Sequence, residues 1–119
     1  VGEFMDERLE KALEFANFMV TLNNQKRSLK EKYYTDCVYY HNGGTFNITK
    51  DLITFIKTLI DIGNTENTVV VDDNDLPIRI DNLILFLDDI IDQYFTASNS
   101  YYNDYQSLKK NRNIEALTK

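Results

Sequence analysis

Few side chains in this sequence could make or break bonds, and their spacing limits what each could do. His41 is the single histidine and Cys37 the single cysteine. His41 precedes Asn42-Gly43, a pair that marks a tight hairpin, so an exposed polar side chain at its tip is expected. General acid–base work also needs a positioned partner, and no serine or cysteine is spaced to provide one. Cys37 opens an apolar run and reads as a small buried hydrophobe rather than a reactive thiol. Asp72-Asp73-Asn74-Asp75 gathers oxygens that could face a cation. A calcium loop, however, alternates its ligands, turns on a glycine and closes with a bidentate Glu. Here Leu76-Pro77 follows at once, and a solvated acidic turn is expected. Asp88, Asp89 and Asp92 could pair as acid and base, or hold magnesium, if sunk in a cleft. In the opening turns of a helix they read instead as complements to its dipole and as register charges. No P-loop, dinucleotide-binding glycine pattern or nucleophile elbow is present. The expectation is a protein with no catalytic residue, no cofactor and no metal site.

Tyrosine is the residue type with most to offer. Tyr33, Tyr34, Tyr39 and Tyr40 form one group, and Tyr94, Tyr101, Tyr102 and Tyr105 with Phe95 form another. An apolar ring with a polar handle suits a protein interface. Tyr33, Tyr94 and Tyr101 fall on helix-seam positions, which leaves Tyr34, Tyr102 and Tyr105 as the expected partner-binding residues. Base stacking on single-stranded nucleic acid would need a basic groove. A net charge of −6 and a pI near 4.7 argue against nucleic acid as a partner. No apolar stretch is long enough to cross a membrane as a helix.

The elements that must position these residues come from a repeat. Leu52-Ile53-Thr54-Phe55-Ile56-Lys57-Thr58-Leu59-Ile60-Asp61 returns about 31 residues later as Leu83-Ile84-Leu85-Phe86-Leu87-Asp88-Asp89-Ile90-Ile91-Asp92. Residues 37–62 and 68–92 thus read as one hairpin-plus-helix unit used twice within a single domain. Strands are expected over Cys37–Tyr40 and Thr45–Ile48, with Thr49 capping a helix to Ile62 and Gly63 stopping it. A second hairpin is expected over Thr68–Val71 and Ile78–Ile80, with Asp81 as the next cap. Long helices, free of Gly and Pro, are expected over Asp6–Tyr34 and from Asn82 to about Asn111. The fold class that follows is α+β, ordered α-ββ-α-ββ-α, with two long antiparallel helices flanking the duplicated unit.

Apolar residues at 3-4 spacing mark the helix seams: Phe15, Met19, Leu22 and Leu29 on the first, Tyr94, Ala97 and Tyr101 on the last. Both long helices are acidic early and basic late. Matching those charges sets Lys26 and Lys30 beside Asp92 and Asp88, and Glu7 beside Lys110. That register puts Phe15, Phe18 and Met19 against the small stretch Ala97-Ser98-Asn99-Ser100. Helices of about thirty residues reach roughly 45 Å, far beyond the middle helix. A head at one end with a two-helix stalk is therefore expected, and a homodimer forming a four-helix bundle would cover the stalk's flanks.

Residues 1–4 lack a secretory pattern and read as a leftover of cloning before Met5. A lone cysteine fits a reducing, cytoplasmic setting. The closing stretch, Phe86-Leu87-Asp88-Asp89-Ile90-Ile91-Asp92-Gln93-Tyr94-Phe95 with Tyr101-Tyr102-Asn103-Asp104-Tyr105, resembles small uncharacterised proteins of tailed phages that infect marine cyanobacteria. The wealth of Asn, Ile, Tyr and Lys fits an AT-rich genome of that kind. In outline the architecture also resembles prefoldin-type chaperones, although the apolar middle helix and the acidic second hairpin depart from that pattern. The resemblance implies a protein acting in the cytoplasm of an infected cell and carries no catalytic residue. The leading expectation is a non-enzymatic interaction module that binds itself and a host or virion protein. The alternatives are a chaperone or assembly scaffold, and a small carboxylate-metal enzyme using Asp88, Asp89 or the Asp72–Asp75 cluster.

Overall fold

Local signals place most of the boundaries. The structure, a computed structural model, describes residues 2–118, with side chains described over residues 6–110; the suggested cloning leftover lies outside those side chains. Helix α1 runs over Gly2–Asp36 and is followed by β1 (Val38–His41) and β2 (Gly44–Asn47). Asn42 (φ 49°) and Gly43 (φ 80°) both take the left-handed conformation of a two-residue type I′ turn. His41 therefore pairs with Gly44 inside the ladder and does not sit at the exposed tip. Thr49 Oγ1 accepts from the Leu52 N–H at 3.1 Å and caps α2 (Lys50–Asp61), with Gly63 at φ 100° just past its end. Strands β3 (Glu66–Val71) and β4 (Pro77–Asn82) form the second hairpin, and Pro77 opens its strand. The last helix, α3, covers Leu83–Thr118. Its cap is Asn82, whose Oδ1 accepts from the Leu85 N–H at 3.1 Å, and not Asp81. Asp81 still belongs to β4 and faces the Arg79 guanidinium at 3.7 Å.

The expected α+β order α-ββ-α-ββ-α holds, with two separate two-stranded antiparallel sheets. Both hairpins and α2 close over the opening turns of α3. Phe46, Ile48, Ile56, Val70, Ile78, Ile80, Leu83, Phe86 and Ile90 are buried there as one core. Phe86 takes Phe46 and Tyr39 edge-on, at 5.2 and 5.5 Å between centroids. Gly44 is buried because Ile78 of the other hairpin presses against it; a Cβ there would lie 2.6 Å from Ile78 Cγ1.

Within the repeat, the helical copies do not bury equivalent letters. Phe55 is exposed while its counterpart Phe86 is buried, and Ile56 is buried while Leu87 is only half-buried. By burial, Leu52, Ile53, Ile56, Leu59 and Ile60 match Phe86, Leu87, Ile90, Gln93 and Tyr94, an offset of 34 rather than 31. The hairpin-and-helix plan repeats, but each helix is rotated to meet different neighbours.

Beyond the head, α1 and α3 run antiparallel as a stalk. The molecule measures 77 × 26 × 20 Å with a radius of gyration of 22.5 Å, against roughly 13–14 Å for a compact domain of this length. The charge-matched register is not the one adopted. Gln93 Nε2 donates to the carbonyls of Asp36 (2.8 Å) and Val38 (2.7 Å), Tyr33 packs on Tyr101 at 5.1 Å, and Lys32 pairs with Asp104 at 3.5 Å. The helices are thus displaced by about fifteen residues from the alignment that sets Lys30 beside Asp88. Asp88 lies about 24 Å up the helix from Asp104, and Lys30 instead sits 5.9 Å from the Tyr34 ring centroid. The reason is energetic. Exposed ion pairs contribute about 0–1 kcal/mol each, whereas burying each of Leu83, Phe86 and Ile90 contributes about 1.5–3 kcal/mol. The head claims the opening turns of α3, so α1 meets α3 only from Gln93 onward.

The seam residues fare accordingly. Leu22 and Ala97 are buried, and Met19, Leu29, Tyr94 and Tyr101 are half-buried on the facing stripes. Phe15 is 65% exposed, because in the adopted register it lies level with the end of α3. The small stretch from Ala97 to Ser100 receives Tyr33 and Lys32, not Phe15 and Met19.

Two substitutions test this arrangement by urea unfolding. Gly44→Ala should cost about 1–3 kcal/mol by overpacking against Ile78, and combining it with Ile78→Ala should give less than the sum of the single losses. Gln93→Leu should cost about 1–3 kcal/mol by stranding the two carbonyls at the end of α1.

Candidate interaction surface

The expected partner-binding tyrosines divide between two places. Tyr34 ends α1, exposed, beside Tyr33 at 5.6 Å and under the Lys30 ammonium. Tyr102 is 64% exposed on α3, and Tyr105, one turn on, is half-buried. Tyr101, Tyr102 and Tyr105 with Ser98 line an open cleft of about 320 Å³. The structure joins Tyr102 to Tyr105 but leaves Tyr34 on a different cleft, so the three do not make one patch.

That other cleft, of about 390 Å³, lies where α1 ends and α2 begins. Tyr33, Tyr34, Cys37, Ile48, Thr49, Lys50 and Tyr94 line it together with Asn47. Burial pushes the Tyr33 hydroxyl up to about 12 and raises the Cys37 thiol above its ordinary value. Both groups are neutral and packed, not activated. A third, wider groove of about 510 Å³ opens between α1 and α3 along Thr21, Gln25, Ser28, Leu29, Asp104 and Leu108. Its lining is mainly amide, hydroxyl and aliphatic, with the Asp104 carboxylate among them.

His41 is half-buried rather than exposed: its ring stacks on Tyr39 at 5.9 Å and meets the edge of Phe86 at 5.4 Å. Tyr39 donates its hydroxyl proton to Asp89 at 2.9 Å. Burial, reinforced by that carboxylate, holds the Tyr39 hydroxyl up at about 12. Asp88 and Asp92 are exposed beside it. None of the three aspartates lies in the first turn of α3, so they do not act as dipole complements there. Nor are they register charges for α1. Among the described residues, no group of three or more His, Cys, Asp and Glu side chains is arranged to hold a metal ion. Nor, among the described residues, is any helix long and apolar enough to cross a membrane.

The acidic loop is the largest departure from expectation. Asp72 is only 4% exposed. Its Oδ1 accepts from the N–H groups of Asn74 (3.0 Å) and Leu76 (2.8 Å), and its Oδ2 accepts from Thr45 N–H (2.8 Å) on the other hairpin. Asp73 extends the joint: its N–H donates to the Thr45 carbonyl at 3.0 Å, and its Oδ2 accepts from Asn47 N–H at 2.6 Å. The loop is a clamp that fastens β2 to the β3–β4 turn. The sequence marks Asp72 only as part of an acidic turn and does not show that it is buried, and Gln93 does not stand out, since a Gln in a helix is ordinary. The one clue is the crowding of four turn-forming residues before a proline.

Compared with protein-family models, curated proteins and solved structures, the chain matches none.

The clamp predicts a definite pH response. The N–H donors, Thr45 first, hold the Asp72 carboxyl below its ordinary range against the opposing effect of burial. Its folded-state value is therefore lower than its unfolded one. Its contribution is complete above the ordinary carboxylate range and disappears as pH falls through the folded-state value. Asp72→Asn should lower the thermal midpoint at neutral pH and flatten its fall between neutral and acid pH, as followed by circular dichroism.

Proposed function

We propose that this chain is a non-enzymatic protein-interaction module that pairs with itself through the stalk and binds a second protein through exposed aromatic side chains. The observation that carries this reading is the half-covered helix pair: a stalk two helices wide exposes Leu9, Leu13, Phe15 and Val20 in its distal half. Scattered apolar residues on a surface are ordinary, but a run of them along one helix marks a contact surface. The grooves beside the stalk are open to solvent, which suits a helix or strand more than a small substrate. Tyr102 and Tyr34, rigid and amphipathic, are the aromatic anchors best placed for a partner.

The phage-like composition and tyrosine-rich closing stretch favour a phage-encoded protein acting in the host cytoplasm on a host or virion protein. Wild-type protein should run in light scattering at twice its 14.0 kDa chain mass. Tyr34→Ala/Tyr102→Ala should keep the wild-type melting midpoint while recovering roughly tenfold less of any protein that the wild type retains, a loss typical of removing interface anchors. Equal recovery by the double variant would place the partner contact elsewhere.

A further inference from the structure

Helix α1 has two apolar stripes, and only one faces α3. The seam stripe passes through Met19, Leu22, Lys26, Leu29 and Tyr33. Leu9, Leu13, Ala16 and Val20 form a second stripe at 4-3-4 spacing, turned roughly 130° around the helix from the seam. All four are exposed, and Leu9, Leu13 and Val20 keep 55–59% of their surface. Successive spacings of four and three are the pattern of a coiled-coil seam. Continued toward the head, the same stripe carries Asn23, Arg27 and Lys30 in place of apolar residues.

We infer that this second stripe is the self-association surface of the protein, and that two copies join through it antiparallel, with their heads at opposite ends. The inference rests on the self-pairing proposed above and specifies its surface, register and direction. In this register Leu9 meets the partner's Val20 and Leu13 meets the partner's Ala16, so each large side chain faces a smaller one. The two-fold axis passes between Glu14 and Phe15. Overlap from Asp6 to Asn23 gives a contact about 27 Å long.

Charge selects this direction over the parallel one. A parallel pair, brought together along the same stripe, would stack Arg27 on the partner's Arg27 and Lys30 on the partner's Lys30. Like charges facing each other across a seam are destabilising. The antiparallel pair carries Lys30 past the overlap and sets Asp6 level with the partner's Asn23, one helical turn from the partner's Arg27. Among the described residues, Asp6 and Lys30, which continue that stripe at its two ends, form no ion pair within the chain.

Disulfide trapping in the full chain tests the direction. Cys37 is buried and does not compete. Mixed under mild oxidation, Leu9→Cys and Val20→Cys chains should cross-link to each other, and neither should cross-link when oxidised alone. Leu13→Glu should weaken self-association roughly tenfold or more in light scattering while leaving the head's melting midpoint unchanged. Cross-linking of Leu9→Cys to itself would overturn the antiparallel register. A wild-type dimer that Leu13→Glu leaves intact would move self-association to another face, leaving the broader reading standing. A wild-type chain that stays monomeric at high concentration would remove self-pairing altogether.

Discussion

Burial of the opening turns of α3 beneath both hairpins is the constraint on which the rest of this molecule depends. Leu83, Phe86 and Ile90 are essentially inaccessible, and Phe86 is the ring around which Phe46, Tyr39 and His41 arrange themselves. Because β1 follows α1 after a single residue, the end of α1 must arrive where the first hairpin docks. Gln93 fixes that arrival by donating to carbonyls on both sides of the junction. The helix-pair register, the length of the stalk and the exposure of its distal half all follow from this one placement.

Hydrophobic contact alone does not hold the two hairpins together, since each sheet has only two strands and such a hairpin is marginal by itself. Polar connections fasten one to the other. Asp72 and Asp73 receive N–H groups from β2, Asn42 Nδ2 donates to the Arg79 carbonyl at 2.9 Å, and Gly44 lets Ile78 approach. A buried carboxylate without a cationic partner is costly in general. Here three backbone N–H groups replace its hydration, which is why the charged form is favoured. The residues that look most like a cation site thus spend their oxygens on the fold.

Much of the fold was legible in the sequence where signals were local. The Asn42-Gly43 turn, the Thr49 cap and the Gly63 stop each rest on the conformational preference of one or two residues, and the order of elements followed from them. The register of the long helices was not legible, because it is decided by burial in the head, many residues away from the charges that suggested an alignment. The same non-local cause misled the reading of His41 and Asp72: both types are usually solvated, and only the packing of a second hairpin against the first covers them. Of the tyrosines, Tyr102 kept its exposed place, whereas Tyr105 turned partly toward the groove. Helical spacing alone could not separate these two, since they lie one turn apart.

The displaced register also explains why the charges of α1 are not matched, pair by pair, to those at the start of α3. If those charges had set the intramolecular pairing, they would have been consumed by α3. Instead, among the described residues, Lys32 reaches the α3 carboxylate of Asp104, and it is held chiefly by its neighbour Asp36, whose hydrogen bond raises the lysine's pKa. Among the described residues, Asp6, Glu7, Glu10 and Glu14 form no ion pair, along a helix that carries apolar residues on two faces. A helix apolar on two faces has two neighbours to satisfy, and this fold supplies one of them. In the self-pairing proposed above, the asymmetry of charge along α1 separates one direction of approach from the other.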